Sequence, residues 1–242
     1  MANDSRSGTL RRGQHAIVTG AGSGIGRAIA MALAAEGLLV TLVGRDHDKL
    51  NDVARVLGET ARIAAADITS AAGLASVAAA AGSDLHVLVH CAGQYLRAPF
   101  AQLSQKTWHA LDAINLHAPI LLTTSCLTAL RAAKGQVVFI NSTAIQQTAA
   151  GLGAYAASKH ALKAAADALR QEVNADGIRV LSIFPGRTDT PMQHAILSAE
   201  GRTARDGALL HPDDVANMLL AALNLPTSAE VTDIVMRPMK PL

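Results

Sequence analysis

The chain has 242 residues, 50% hydrophobic and 17% charged, with a net charge of +2. That composition excludes a disordered or fibrous chain, suits one α/β domain with a sizeable core, and gives no electrostatic case for nucleic acid. Its two cysteines, Cys91 and Cys126, exclude a disulfide framework and fit a reducing cytoplasm.

Residues 1–13 are polar and rich in Gly, Ser and Arg, with no apolar segment of the export kind. They read as a flexible leader ahead of a single domain over residues 14–242. Short apolar or β-branched runs at 15–19, 38–43, 62–66, 85–91, 137–141, 178–184 and 231–236 read as seven strands. Helical stretches lie between them at 25–36, 46–57, 71–80, 107–131, 154–174 and 212–223. Strands separated by helix-length segments mean βαβ units. Right-handed crossovers then give a doubly wound, Rossmann-like parallel sheet with helices on both faces and a ligand crevice at the carboxyl ends of its strands. Aromatics are only 2%, so Ala, Val, Leu and Ile must build the core. No apolar run reads as approaching the ~20 residues of a membrane span, so no membrane is expected.

The segment Thr19-Gly20-Ala21-Gly22-Ser23-Gly24-Ile25-Gly26 joins the first strand to the first helix. Glycines there allow a tight turn and close backbone approach, and the helix start offers free N–H groups and a positive dipole end to a pyrophosphate. Further along, Tyr155 and Lys159 are four residues apart, on one face of a helix. A nearby ammonium favours the phenolate, so Lys159 is expected to lower the Tyr155 pKa toward neutrality. A phenol so tuned exchanges a proton with a substrate oxygen. Ser142 follows the fifth strand, 13 residues before Tyr155.

Together these features resemble the short-chain dehydrogenase/reductase family, in its short single-domain branch. The glycine loop is similar to that family's T-G-x-x-x-G-x-G form through Gly20, Gly24 and Gly26, and the likeness runs over nearly the whole chain. The resemblance implies Asn115, Ser142, Tyr155 and Lys159 as the catalytic set. Ser142 and Tyr155 would hold the substrate oxygen, Lys159 would also bind the nicotinamide ribose, and Asn115 would hold a water linking Lys159 to solvent. It implies a cofactor site that adds Ser23, Ile25 and Gly26 to the loop, then Asp67 and Ile68 at the adenine, Ala92 and Gly93 beside the ring, and Pro185, Gly186 and Thr188 over the nicotinamide, with Thr190 as the second choice to Thr188. The residues 189–207 resemble the family's substrate-covering lid, and Gln94, Tyr95, Ala144, Ile145, Gln146, Arg187 and Met192 are expected to line the substrate pocket. One departure stands out: the family's Asn-Asn-Ala-Gly is here His90-Cys91-Ala92-Gly93, which removes an Asn amide that ties neighbouring strands.

The second strand ends Val43-Gly44-Arg45. Relatives that prefer NAD carry an acidic residue there for the ribose hydroxyls. Gly44 has no carboxylate and Arg45 offers a fork suited to phosphate, so NADP is expected over NAD. The expected activity is hydride transfer between NADP(H) and a carbonyl/alcohol pair, in a homotetramer or homodimer built on the helices 107–131 and 154–174. The alternatives are a non-catalytic NADP sensor, which the presence of Ser142 and Tyr155 disfavours, and an NAD-preferring alcohol dehydrogenase of the same family. Extended-branch epimerases need a substrate domain that 242 residues do not accommodate. Enoyl reductases of this fold space Tyr and Lys further apart. His86 and His90 have no third ligand near in sequence and read as packed histidines, so no metal is expected.

Overall fold

The structure, a computed structural model, describes residues 10–240. In chain order the elements are β1 (His15–Thr19), α1 (Gly24–Ala35), β2 (Leu39–Gly44), α2 (His47–Leu57), β3 (Ala61–Ala65), α3 (Ala71–Ala80), β4 (Val87–His90) and α4 (Gln105–Asp112). A π-helical turn, Ala113–His117, leads into α5 (Ala118–Ala133). There follow β5 (Gln136–Ile140), α6 (Gly153–Val173), β6 (Arg179–Pro185), α7 (Pro191–Ala199), α8 (Pro212–Leu223) and β7 (Asp233–Met236). All seven strands pair in parallel in the order β3-β2-β1-β4-β5-β6-β7. The order reverses between β1 and β4. Connections leave those two strand ends in opposite directions, and a crevice opens between them.

Successive strand residues face opposite sides, and the two sides bury separate cores. Val18, Val40, Val89 and Ile183 pack with Ile29 and Leu33 of α1 and Leu219 of α8. Ile17, Leu88, Val137 and Val180 pack with Leu122 and Leu130 of α5 and Leu162 and Ala166 of α6. Burying a Val, Leu or Ile side chain contributes roughly 1.5–3 kcal/mol, so these aliphatic layers hold the sheet that presents the site.

The seven expected strands are all present, with ends displaced by one or two residues. Several differences have physical causes. The helix expected over residues 107–131 starts earlier, at Gln105, because the Ser104 hydroxyl caps it by accepting from the Thr107 N–H at 3.1 Å. It is also interrupted by the π turn around Asn115. From Gln105 to Ala133 it is one run of 29 residues with mean hydropathy 1.4 in its most apolar window, long and apolar enough by composition to cross a membrane. The expectation that no run approaches that length is therefore wrong here. The helix is apolar because 44% of that window is buried in the domain interior.

The segment 189–207, expected to form the lid, contains α7. Thr190 caps it by accepting from the Gln193 N–H at 3.1 Å, and Pro191 occupies its first turn. Pro191 suits that place, where its missing N–H would have no helical partner. Of the expected leader, residues 1–9 lie outside the described residues. Residues 10–13 are tied to the domain: Leu10 packs on the α1/α8 side of the core, and the Gly13 N–H donates to the Gly37 carbonyl at 2.9 Å.

Candidate active site

The crevice between β1 and β4 is a cleft of about 490 Å³. Gly20 and Gly24 turn with φ of +70° and +53°, a region that disfavours side chains. A Cβ at Gly20 would lie 2.9 Å from the Ala92 nitrogen, and one at Gly24 would lie 2.8 Å from Thr190 Cγ2. The loop is therefore a bare backbone cradle that a side chain would fill. Ser23 precedes α1 in extended conformation, and its hydroxyl makes no capping bond. The first N–H groups of α1 and a free hydroxyl thus face the cleft, which suits a pyrophosphate.

Ile25 and Gly26 line the same wall. Arg45, exposed and without an ion-pair partner among the described residues, stands at the adenosine end beside Asp67 and Ile68. Hydrogen bonds from the Thr69 N–H and hydroxyl, with a smaller contribution from Arg45, hold the Asp67 carboxyl below the usual range. Ala92, Gly93 and Pro185 complete the lining. Thr188 does not reach the cleft: it is buried, and its hydroxyl donates to the Gly186 carbonyl at 3.0 Å. Gly186 is likewise outside the lining, and Thr190, the second choice, is the threonine on the cleft wall.

At the inner end Tyr155, Ser142 and Lys159 converge. The Ser142 hydroxyl stands near the Tyr155 phenol and accepts from the Ala144 N–H at 3.1 Å. Lys159 is 5% exposed, and its ammonium donates to the Ile140 carbonyl at 3.0 Å. Burial lowers the Lys159 pKa from 10.5 to about 8. The sequence-based expectation for Tyr155 is reversed. Its pKa is raised, because burial of the phenol outweighs the opposing hydrogen bond from Ser142. Lys159 does not offset that burial because its ammonium is turned to the end of β5.

Asn115 is buried on the π turn. Its side chain accepts from the Gln94 N–H at 2.8 Å and donates to the Gln94 carbonyl at 2.9 Å and to Ser158 Oγ at 3.1 Å. The Ser158 hydroxyl in turn donates to the Tyr155 carbonyl at 2.8 Å. Asn115 therefore stands behind the cleft wall and positions two of its segments. It lies near enough to Lys159 that a Cβ on Gly93 would meet Asn115 Oδ1 at 3.1 Å and Lys159 Nζ at 3.8 Å.

A second cavity of about 880 Å³ shares Gln94 and Met192 with the cleft and is bounded further by Tyr95 and the last turn of α7. The Tyr95 ring packs on the Tyr155 ring with centroids 5.2 Å apart. Ala144 and Ile145, in the 3-10 turn Thr143–Ile145, and Gln146 just after it line neither cavity. Arg187 is engaged instead by Glu200.

A sequence model described as short chain dehydrogenase matches residues 14–201. The chain belongs to the short-chain dehydrogenase/reductase family. An uncharacterized oxidoreductase of Staphylococcus aureus (strain USA300) is 32% identical over 229 residues, covering 93% of this chain and 96% of that protein. Among solved structures, a putative NAD(P)-dependent gluconate 5-dehydrogenase from Beutenbergia cavernae with bound NADP is 33% identical, with TM-score 0.84 over 94% of this chain and 96% of the other. A metagenomic short-chain oxidoreductase in complex with NADP is 30% identical, with TM-score 0.81 over 95% and 98%. The chain is thus a short-chain oxidoreductase, and both of these solved neighbours hold NADP.

Three residues that sequence reading left unassigned support the family's site. Thr19 ties β1 to β4: its hydroxyl accepts from the Cys91 and Ala92 N–H groups at 3.0 and 3.1 Å and donates to the Val89 carbonyl at 3.3 Å. Hydroxyl and amides here do the tying for which the family's Asn is absent. Asn141 donates to the Lys159 carbonyl at 3.1 Å and accepts from the Ser142 N–H at 2.9 Å, so it joins β5 to α6. Ser158, inside the Tyr-to-Lys interval, holds Asn115. A polar residue at a buried strand end was the available signal for Thr19 and Asn141. His90 stacks on Phe139 with centroids 5.0 Å apart and bonds Thr123 Oγ1 at 2.7 Å, and burial lowers its pKa to about 3. His86 accepts from the His15 N–H at 3.3 Å. Burial pushes the Cys91 thiol up to about 12, which leaves it a poor nucleophile at neutral pH.

Lys159 is kept in the interior against its own desolvation, so Lys159→Met should raise the melting temperature at neutral pH. The folded pKa, about 8, lies below the unfolded value of 10.5. Between them the unfolded wild type binds more protons, so its stability rises with pH in that window. The advantage of Lys159→Met should therefore shrink as pH climbs from about 8 toward 10.5. Calorimetric scans of both proteins across that range check it; a destabilised variant with a pH-independent deficit is the contrary outcome.

Proposed function

We propose that the chain is an NADP(H)-dependent carbonyl reductase/alcohol dehydrogenase in which Tyr155 exchanges the proton with the substrate oxygen. The observation that carries this reading is the convergence of Tyr155, Ser142 and Lys159 on the same cleft that the glycine loop lines. A bound nicotinamide supplies the hydride to the carbonyl carbon, or takes it from the alcohol. Tyr155, held neutral by burial, gives its proton to the substrate oxygen as that oxygen gains charge. Ser142 donates a hydrogen bond to the same oxygen and fixes it beside the phenol. The Lys159 ammonium lies behind them at the end of β5, where it would hold the cofactor ribose. Asn115 keeps the Gln94 and Tyr155 segments in register. The raised Tyr155 pKa favours reduction at neutral pH, since a neutral phenol is a proton donor.

Arg45 supports NADP over NAD. It stands free at the adenosine end of the cleft, Gly44 brings no carboxylate to repel a 2′-phosphate, and Asp67 already has two donors of its own. The same reading places the protein in the cytoplasm as an assembly of like chains. The outer faces of α5 and α6 support that assembly: Leu121 of α5 is 50% exposed, with Thr124 and Ser125 exposed beside it. A symmetric pairing of those helices gives a dimer or tetramer.

Tyr155→Phe should abolish carbonyl reduction, followed by NADPH fluorescence in a screen of aldehydes and ketones, while leaving NADPH binding nearly intact. Retention of near-wild-type turnover would refute the role of the phenol. Arg45→Ala should weaken NADP about tenfold or more, since a charge-assisted hydrogen bond contributes roughly 1.5–3 kcal/mol, and should leave NAD little changed. Titration of both cofactors reads the difference; equal affinities in the wild type count against the preference. Light scattering at micromolar concentration should give a mass above that of one chain, and a monomer rejects the assembly.

A further inference from the structure

The outer cavity is apolar on one side and strongly basic on the other. Met192, Ala195, Ile196 and Ala199 of α7 form the apolar wall. Opposite them Arg97, from the loop after β4, and Arg187, from the loop after β6, both grip Glu200, the residue that ends α7. Arg97 Nη1 lies 2.6 Å from Glu200 Oε1, and the Arg187 fork spans both oxygens at 3.1 and 3.2 Å. The Glu200 side chain is 10% exposed, whereas Arg187 and Arg97 are 33% and 46% exposed. The carboxylate is thus the enclosed partner; of the two guanidinium groups Arg97 lines the cavity, and Arg187 holds Glu200 from outside its lining. Arg202 lines the same cavity with no ion-pair partner among the described residues. Arg97 and Arg202 therefore line the cavity with the single carboxylate of Glu200, which Arg187 also neutralises from behind, an excess of positive charge.

The clamp is close to the chemistry. Tyr95 packs on Tyr155 and lines the outer cavity together with Arg97. The Arg97 stem is fixed from behind: a Cβ on Gly151 would meet its Cγ at 3.2 Å. A substrate with its carbonyl oxygen at Tyr155 and Ser142 and an apolar chain running past Tyr95 along α7 would bring its other end to Arg97 and Arg187. A planar two-oxygen anion matches the fork that already holds Glu200. We propose that the substrate is an oxo acid, or the corresponding hydroxy acid, whose carboxylate is bound by Arg97 and Arg187 in exchange with Glu200. Glu200 occupies the clamp in the substrate-free protein and is displaced on binding, with Arg202 offsetting the added negative charge. This inference rests on the carbonyl/alcohol reading above and assigns its substrate class.

The test pairs each member of a series of straight-chain oxo acids with its primary amide, of similar shape and no charge. The cofactor-loaded wild type should reduce at least one acid with kcat/KM about tenfold or more above its amide, the size of one charge-assisted bond. That ratio should collapse toward unity in Arg187→Met and Arg97→Met. In a separate arm without turnover, calorimetry should show hexanoate binding the cofactor-loaded protein more tightly than hexanamide does. Binding should be several-fold tighter still in Glu200→Gln, which removes the competing carboxylate. If amides are reduced as well as acids and hexanoate binds no better than hexanamide, the arginines only latch the lid; the inference fails and the carbonyl chemistry stands. If no carbonyl compound is reduced, the carbonyl reading fails and the substrate class with it, whatever hexanoate does. Arginine variants that lower acid and amide turnover equally also overturn the inference.

Discussion

The placement of the start of α6 at the carboxyl end of β5 governs everything the site does, and a buried charge fixes it there. The Lys159 ammonium donates to the last carbonyl of β5, and Asn141, one residue further on, donates back to the Lys159 carbonyl. These two bonds run in opposite directions between the same strand end and the same helical turn, so the helix can neither slide nor roll there without breaking one. Lower down, the Arg170 guanidinium donates to the Val180 carbonyl at 3.0 Å and ties α6 to β6. Tyr155 stands one helical turn before Lys159 and inherits that position. A phenol must sit within hydrogen-bond reach of its substrate oxygen to be useful, so the precision needed at Tyr155 is delivered by polar groups that never touch substrate.

Such a clamp opposes the hydrophobic logic of the rest of the domain. The sheet is held by aliphatic side chains on both faces, while the site concentrates buried polar groups at the strand ends: Thr19, Asn115, Asn141, Ser158 and Lys159. Each neutral member has partners, which keeps its burial from being costly. The π turn is part of that solution. It places Asn115 so that one amide serves both Gln94 and Ser158, linking the segments from β4 and α6. π turns inside α-helices occur often at functional sites, and here the function is to hold two walls of one cleft.

Sequence patterns made the scaffold legible because strand and helix periods are local. The cores of β1, β4 and β5 follow from their apolar runs, and the glycine loop follows from Gly20 through Gly26 between a strand and a helix. Legibility ended where orientation decides the outcome. Tyr155 and Lys159 share a helix face, but spacing alone does not say that the ammonium turns to Ile140, and so the direction of the Tyr155 pKa came out reversed. Thr188 and Thr190 are equivalent in sequence, and only the turn closed by the Gly186 carbonyl sends one inward and the other to the cleft. The apolar character of the helix Gln105–Ala133 was underestimated because Lys106, His109, Asp112 and His117 break up its first half, leaving the most apolar stretch to start near the π turn.

The two cavities also differ in how their chemistry is encoded. The cofactor side is made of backbone, since glycines, strand ends and a helix N-terminus offer N–H groups that tolerate little change in side chain. The substrate side is made of side chains on two loops and on α7, which touch the sheet only at their roots. Arg97, Arg187 and Glu200 are separated by 90 and 13 residues along the chain, yet they meet because the loops after β4 and β6 both rise at the carboxyl edge and α7 folds back between them. No sequence window contains that triad. A fold of this kind can change what it binds by exchanging residues on those loops without disturbing the clamp on α6, which is why the reaction is readable from Tyr155 and its neighbours and the substrate only from the assembled mouth.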